Sequence, residues 1–197
     1  VTCWAIIPAK APGHGKNRLS SALDEAARSE LVRAMLVHVV SAVEAARNVD
    51  TVCLVGTSRH GLPETLALLD DPGTGLNAAV AAGFDMAVQS GATRVLIVHG
   101  DLPQLSLQDV ELLAAAATGS LAIAPDRHGI GTNALSLPLP EAAGFTFAFG
   151  TDSFALHKME AERLALKVET IHSRGLAHDI DEPEDLPDAA EMQKPAR

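Results

Sequence analysis

Three cations, Lys10, Lys16 and Arg18, lie within the stretch Pro8-Ala9-Lys10-Ala11-Pro12-Gly13-His14-Gly15-Lys16-Asn17-Arg18-Leu19, and no acidic residue precedes Asp24. The apolar run Ala5-Ile6-Ile7 comes just before and a helical pattern comes after, so the stretch reads as the loop of a strand–loop–helix unit. The chain as a whole carries a net charge of −10. A concentrated positive loop on an acidic protein calls for an anionic ligand. A triphosphate suits it, because Lys and Arg neutralise phosphate charge and Gly lets backbone N–H groups approach the oxygens. Two common glycine signatures fail here. In a G-x-x-x-x-G-K-[ST] frame Lys10 takes the first Gly position and Asn17 replaces the magnesium-binding hydroxyl, while Gly13-x-Gly15 is followed by Arg18 where a dinucleotide fingerprint needs a third glycine. A solvated basic loop is the bland alternative, and three cations without a compensating carboxylate count against it.

The acidic counterparts lie far along the chain. Asp101 stands in Val98-His99-Gly100-Asp101-Leu102-Pro103, directly after a very apolar strand pattern. Ligands of open parallel sheets bind beyond the carboxyl ends of strands, which puts Asp101 where a carboxylate can hold a divalent cation and Gly100 where it allows close approach. Helix capping is the structural alternative for Asp101, but Ser106 fills that role better; His99 reads as a packed residue rather than a ligand. Asp179 and Asp181 are two apart in His178-Asp179-Ile180-Asp181-Glu182-Pro183-Glu184-Asp185-Leu186, so an extended backbone would point both side chains to one side. Such a pair repels unless a cation lies between, and with Asp101 it could supply the oxygen ligands that magnesium prefers. Glu182, Glu184 and Asp185 read as starting and solvating a helix after Pro183. A last constellation, Gly129-Ile130-Gly131-Thr132-Asn133-Ala134-Leu135 with Phe149-Gly150-Thr151-Asp152-Ser153-Phe154, places Gly, Thr and Ser at a loop-to-helix junction, where free N–H groups would form an anion nest. Taken alone, Ser153 reads as an N-cap, with His157 one turn into its helix.

Alternating strands and helices must position these groups. The patterns predict strands over 2–7, Thr51–Gly56 and Arg94–Val98, and helices over Ser21–Asn48, Leu62–Leu69 and Asn77–Gln89. Ser106-x-x-Asp109 opens a helix to Ala117 as a capping box with Asp in place of Glu or Gln. Three apolar strands alternating with helices predict a mostly parallel sheet covered on both faces. The second half changes character: strands over Leu121–Ala124 and Asn133–Leu137 flank the polar loop Asp126–Thr132, then come a helix from Ser153 to Leu164, a strand over Lys167–Ile171 and a short acidic helix. That predicts an antiparallel excursion on an α/β sheet, in one domain over 1–197.

Composition narrows the role. The 197 residues are 47% hydrophobic but 3% aromatic, with no Tyr, so Ala, Val, Leu and Ile must build the core. The acidic balance argues against nucleic acid or an anionic membrane as the main partner. No segment approaches the roughly 18 apolar residues of a membrane span, and none reads as a targeting signal; the chain opens on Val1, which leaves room for a start methionine or a tag ahead of it. Cys3 and Cys53 fall in separate strand patterns without ligand-spaced neighbours, and read as buried structural thiols in a reducing cytoplasm.

Together, Pro8-x-Lys10…Lys16-x-Arg18-Leu19, Gly100-Asp101-Leu102-Pro103, Gly131-Thr132-Asn133-Ala134-Leu135, Phe149-Gly150-x-x-Ser153-Phe154-x-x-His157 and Asp179-Ile180-Asp181-x-Pro183-x-Asp185-Leu186 resemble the CofC-type guanylyltransferases of deazaflavin (coenzyme F-420) biosynthesis, relatives of the MobA-like nucleotidyltransferases. The match runs over nearly the whole chain, with the motifs in order. Asn17 departs from the family's usual Ser, and the Gly-His-Gly loop is longer.

The resemblance implies a Rossmann-like nucleotidyltransferase fold and transfer of GMP from GTP onto the phosphate of a three-carbon acid (2-phospho-L-lactate, phosphoenolpyruvate or 3-phospho-D-glycerate), releasing pyrophosphate. It assigns Lys10, Lys16, Arg18 and Asp101 to catalysis, and Pro8, Lys16, Gly75, Asn77 and Gly100 to the nucleotide, with Asn77 and Gly75 near ribose and base. Thr132, Asn133, Gly150 and Ser153 fall to the acceptor, and Asp101, Asp179 and Asp181 to Mg²⁺. Expected partners are GTP and a small phosphorylated acid in the cytoplasm, with no nucleic acid or membrane, and a homodimer is left open. The rivals are another MobA-like enzyme acting on molybdopterin or a sugar phosphate, a nucleotide-sensing module without turnover, and a glycosyltransferase, whose separated D-x-D is not evident.

Overall fold

The computed structural model describes residues 2–10 and 16–187; residues 11–15 of the predicted basic loop and the chain from 188 onward lie outside it. Its frame is one sheet of the strands β1 (Cys3–Pro8), β2 (Thr51–Val55), β3 (Ala67–Leu69), β4 (Arg94–Val98), β5 (Ser120–Pro125), β6 (Thr132–Pro138) and β7 (Lys167–Thr170). Their order is β3-β2-β1-β4-β6-β5-β7. β1 pairs in parallel with both β2 and β4, while β6 runs antiparallel to β4 and β5. β7 is parallel to β5, so the predicted antiparallel excursion consists of one reversed strand inside the sheet.

Alternation along the strands builds a core on each face. Ala5 and Ile7 of β1, with Leu96 and Val98 of β4, pack against Leu36, Val39 and Val40 of α1 (Glu25–Ala45) and Leu113 of α3 (Leu107–Ala114). Ile6, Val95 and Ile97 face the other way, toward Val80 and Phe84 of α2 (Leu76–Gln89) and Ala161 of α4 (Ser153–Arg163). α2 lies tight on the sheet because Gly83 has no side chain; a Cβ there would sit 2.6 Å from Ile6 Cγ2. Cys3 and Cys53 are buried free thiols, as expected. Among the described residues, no helix is long and apolar enough to cross a membrane.

Several predicted boundaries move. α1 starts at Glu25 rather than Ser21, because the Asp24 carboxylate caps it by accepting Ala27 N–H at 2.8 Å. Residues Asn17–Ser21 form a 3-10 turn that buries Leu19. The predicted helix over Leu62–Leu69 is absent: Ala67–Leu69 form β3 instead, paired in parallel with β2. Leu and Ala favour helix weakly, and the open hydrogen-bonding edge of β2 overrides that preference. α3 stops at Ala114, short of Ala117, where buried Arg94 binds the Ala116 and Ala117 carbonyls at 3.1 and 3.0 Å. The Ser106–Asp109 capping box is present as read. A short helix α5 (Arg174–Ala177), capped by Ser173, was not foreseen.

Scarce aromatics are concentrated where the reversed strand meets α4. Phe84, Phe145, Phe147 and Phe149 cluster around His157, whose ring centre lies 4.7 Å from that of Phe149. His157 Nε2 accepts Ala148 N–H at 3.0 Å, so Nδ1 carries the proton and donates to Thr132 Oγ1 at 3.0 Å. Burial holds this imidazole neutral, pushing it down to about 4 from 6.5. Between those values the unfolded chain binds a proton that the folded chain does not, so stability present above pH 6.5 is lost as pH falls toward 4. The drop in unfolding free energy from pH 7 to pH 4.5 should be smaller in His157→Gln than in the parent by about 2 kcal/mol. Urea titrations at the two pH values measure it, and equal drops would mean that His157 does not titrate as a buried neutral group.

Candidate active site

β1 is the strand from which the chain crosses over first toward β2 and then, past it, toward β4, so the sheet order switches at the carboxyl ends of β1 and β4. Two glycines let the exits crowd together. A Cβ on Gly100 would lie 3.0 Å from Leu36 Cδ1, and one on Gly56 would lie 2.8 Å from Ala9 O. Pro8 ends β1 and Gly100 follows β4, which brings Lys10 and Asp101 out on the same rim.

Lys16 is the centre of that rim. Its backbone is left-handed (φ 52) and its side chain only 10% exposed. The ammonium binds Asp101 Oδ2 and also Asp181 Oδ1, the latter at 2.7 Å. Burial alone would favour a neutral Lys16, yet the two carboxylates outweigh it and raise its pKa above the ordinary lysine value. Burial likewise opposes ionisation of Asp101, and Lys16 outweighs it, so Asp101 titrates below the usual carboxylate range. Asp179 behaves in the opposite way: burial, then the neighbouring charges of Asp101 and Asp181, raise its pKa. One ammonium is thus shared by two carboxylates, whose charges also act on Asp179.

A cation would offset the remaining negative charge, and two observations bear on the fit. Asp101 Oδ1 is buried and has no hydrogen-bond partner. Among the described residues, however, no three His, Cys, Asp or Glu groups stand together so as to hold a metal ion by themselves. Magnesium is commonly held by one or two carboxylates plus substrate phosphates rather than by an all-protein cage. The hard oxygen donors and the orphaned Oδ1 fit an ion shared in that manner.

The other predicted residues divide. Lys10 is exposed just past β1, and Arg18 pairs with Glu182 at 3.3 Å on the outer side of the acidic segment. His99 is packed, 5.0 Å ring to ring from Phe149, and burial lowers its pKa. Gly75 caps α2 with φ 106, but the Asn77 amide is occupied: it accepts Phe149 N–H at 2.7 Å and donates to Phe149 O at 3.1 Å. Ser153 is not the N-cap of α4; Asp152 is, and the Ser153 hydroxyl accepts Thr132 N–H at 2.9 Å. The expected anion nest is partly filled, since Ser153 N–H and Phe154 N–H bind the carbonyls of Gly150 and Ile130. Thr132, Asn133 and Ser153 are buried, whereas Gly150 is exposed with φ 125. Asn133 Nδ2 donates to Leu176 O, Ala177 O and Asp179 Oδ1, at 3.0, 3.2 and 3.3 Å. It thus steadies an acidic ligand candidate. Sequence reasoning missed Arg127, which binds Asp185, and nothing in its polar loop marked it out.

Comparison with known proteins follows the same lines. The family model described as guanylyl transferase CofC-like matches residues 3–190. A phosphoenolpyruvate guanylyltransferase of Sphaerobacter thermophilus is 38% identical over 195 residues, covering 96% of this chain and 93% of that protein. A 2-phospho-L-lactate guanylyltransferase of Halorubrum lacusprofundi is 34% identical over 173 residues, covering 87% and 76%. Among solved structures, a nucleotidyl transferase from Methanothermobacter superposes with a TM-score of 0.69 at 17% identity over 97% of both chains, a likeness of fold. With its sheet, its motifs in order and its relatives in agreement, the chain belongs to the CofC-like family of guanylyl transferases.

Proposed function

We propose that this protein transfers GMP from GTP to the phosphate of a three-carbon phospho-acid in the route to coenzyme F-420, with phosphoenolpyruvate as the first candidate and 2-phospho-L-lactate the second. The observation that carries the reading is the pairing of buried Lys16 with Asp101 and the half-exposed Asp181 at the β1/β4 rim of a CofC-family chain. The order of acceptors follows the relatives: the Sphaerobacter protein is 38% identical and the Halorubrum protein 34%. 3-Phospho-D-glycerate has the same reacting group and is the third to test.

The chemistry asks little of acid–base groups. A phosphate oxygen of the acceptor attacks the α-phosphorus of GTP, a new P–O bond forms, and the bond from that phosphorus to the β-phosphate bridge breaks. Pyrophosphate leaves with the electron pair. The nucleophile is already anionic near neutral pH, so no Ser-His-Asp set is needed to create it. The obstacle is the approach of one anion to another, which positioning and preorganised positive charge overcome. Lys16, released from its carboxylates by arriving phosphates, neutralises the triphosphate, with Lys10 and Arg18 at the outer edge. Asp101, Asp179 and Asp181 would hold Mg²⁺, which when bound supplies Lewis-acid neutralisation of phosphate oxygens. Gly75 and the start of α2 flank the nucleotide. Thr132, Asn133, Gly150 and Ser153 shape the acceptor side, the buried three by fixing backbone there.

Incubating the protein with GTP, Mg²⁺ and each acid in turn, and reading the products by mass, tests the assignment; phosphoenolpyruvate should yield the guanylylated diester and pyrophosphate. No product from any of the three acids would overturn it. Asp101→Asn should lower kcat/KM by roughly 10²–10³-fold while the thermal midpoint stays near the parent's. Full turnover with magnesium would remove Asp101 from the mechanism. Lys16→Ala should both raise the KM for GTP and lower kcat, by about 10²-fold in their ratio. An unchanged ratio would contradict its charge role.

A further inference from the structure

The segment bearing Asp179 and Asp181 has little regular structure of its own. α5 ends at Ala177, and the next element is the three-residue 3-10 turn Pro183–Asp185. Two aspartates that repel each other and Asp101 are therefore held by contacts from outside the segment. Ile180 N–H donates to Asp101 O at 3.3 Å, and Asn133 holds the Asp179 carboxylate. Lys16 and Arg18 hold the Asp181 and Glu182 side chains, and the anchor of the backbone there is Asp185. It is charged yet only 5% exposed, and its Oδ2 accepts the backbone N–H groups of Asp181 and Glu182 at 2.9 and 2.8 Å. Its other oxygen is bound by the Arg127 guanidinium.

Arg127 is fixed in turn from the sheet. It lies just past β5, in a turn pinned by the Asp126 carboxylate, which accepts N–H groups of His128, Ile130 and Gly131 at 3.1, 2.9 and 2.9 Å. The Arg127 backbone N–H also donates to Ala177 O at 2.9 Å, just ahead of the acidic pair. From this geometry we infer that Arg127 and Asp185 are positioning residues: their ion pair carries the rigidity of the β5–β6 turn to the backbone of Asp181 and sets the spacing of the acidic trio. The inference rests on the reading of that trio as cation ligands. Ordinary capping explains the Glu182 contact, but a three-residue turn offers little helix to cap. The Asp181 N–H lies outside that turn, and Arg127 comes from 58 residues away in sequence.

The test is Mn²⁺ binding in the presence of GTP and absence of acceptor, read as loss of the free-ion paramagnetic signal beyond the loss that the same GTP causes without protein. Metal-free GTP binding and thermal unfolding are measured beside it. Arg127→Met and Asp185→Asn should weaken Mn²⁺ binding by about tenfold or more, as outer partners of metal ligands do. Metal-free GTP binding should stay within about twofold, and Arg127→Lys, which keeps the charge but loses the fork, should fall between parent and Met variant. Mn²⁺ affinity within twofold of the parent in both variants, or GTP binding lost in step with Mn²⁺, would overturn the inference. If Arg127→Met does not fold, Arg127→Lys and Asp185→Asn decide by the same criteria. A parent that loses Mn²⁺ on these substitutions yet never transfers GMP would sink the guanylyltransferase reading and leave the Arg127–Asp185 role standing.

Discussion

The arrangement depends on one unequal electrostatic contact: a single buried ammonium shared by two carboxylates, Asp101 and Asp181, whose charges also reach Asp179. At the end of an apolar strand the effective dielectric is low, so the pairing of Lys16 with Asp101 is strong and the remaining repulsion is strong too. Asp101 and Asp179 shift in opposite directions, the first held ionised against its burial by the lysine, the second pushed up first by burial and then by the charges of Asp101 and Asp181. Such a cluster is stable enough to fold and still short of positive charge, which suits a site built to receive ions from solution. In a chain of net charge −10, Lys10, Lys16 and Arg18 come before the first acidic residue, Asp24, so this stretch is locally positive.

Apolar contacts bring the two ends of the chain to that rim. Leu19, Met35 and Ile180 form a small buried cluster of their own, apart from the two large cores. Leu19 lies just beyond Lys16 and Arg18, and Ile180 lies between Asp179 and Asp181. Burial of these two side chains against Met35 of α1 therefore draws the basic turn and the acidic segment together. Each contributes about 1.5–3 kcal/mol in the usual accounting for fully buried aliphatic side chains. That offsets part of the cost of crowding like charges. The Ile180 N–H bond to Asp101 O adds direction to a contact that would otherwise be only sticky.

Much of this was legible in the sequence because its signals are local. The apolar runs of β1, β2 and β4 and the Ser106–Asp109 box declare themselves over a few residues. The two-residue spacing of Asp179 and Asp181 was equally plain. What was not legible depends on the far side of the fold. Leu62–Leu69 reads as helix until the free edge of β2 is seen beside it. Asn77 looks like a polar group available for a ligand until its amide is found clasping the Phe149 backbone. Arg94 opens an apolar strand signal, and only the fold shows that its guanidinium reaches the Ala116 and Ala117 carbonyls in the turn just past α3. Arg127 and Asp185 were invisible as a pair, since an ion pair across 58 residues leaves no periodicity.

The polar groups around β6 differ from those around Lys16 in a manner that follows from the same packing. Around Lys16 the functional groups are charged side chains with a free valence, such as the buried Asp101 Oδ1. Around β6 the polar side chains are saturated by the protein itself: Thr132 with His157, Ser153 with the Thr132 backbone, Asn133 with α5 and Asp179. A network of this kind is rigid because each buried polar atom that lost its partner would cost about 1–3 kcal/mol. Its effect is to fix the backbone of the Gly129–Asn133 turn and of the Gly150–Ser153 turn against each other. The buried hydroxyls of Thr132 and Ser153 are thereby committed to the protein, and exposed Gly150 leaves backbone rather than side chain at the surface of that turn. Asn133 joins the two halves, since one amide nitrogen bonds both the end of α5 and the Asp179 carboxylate. The start of β6 is thereby tied directly to the acidic segment.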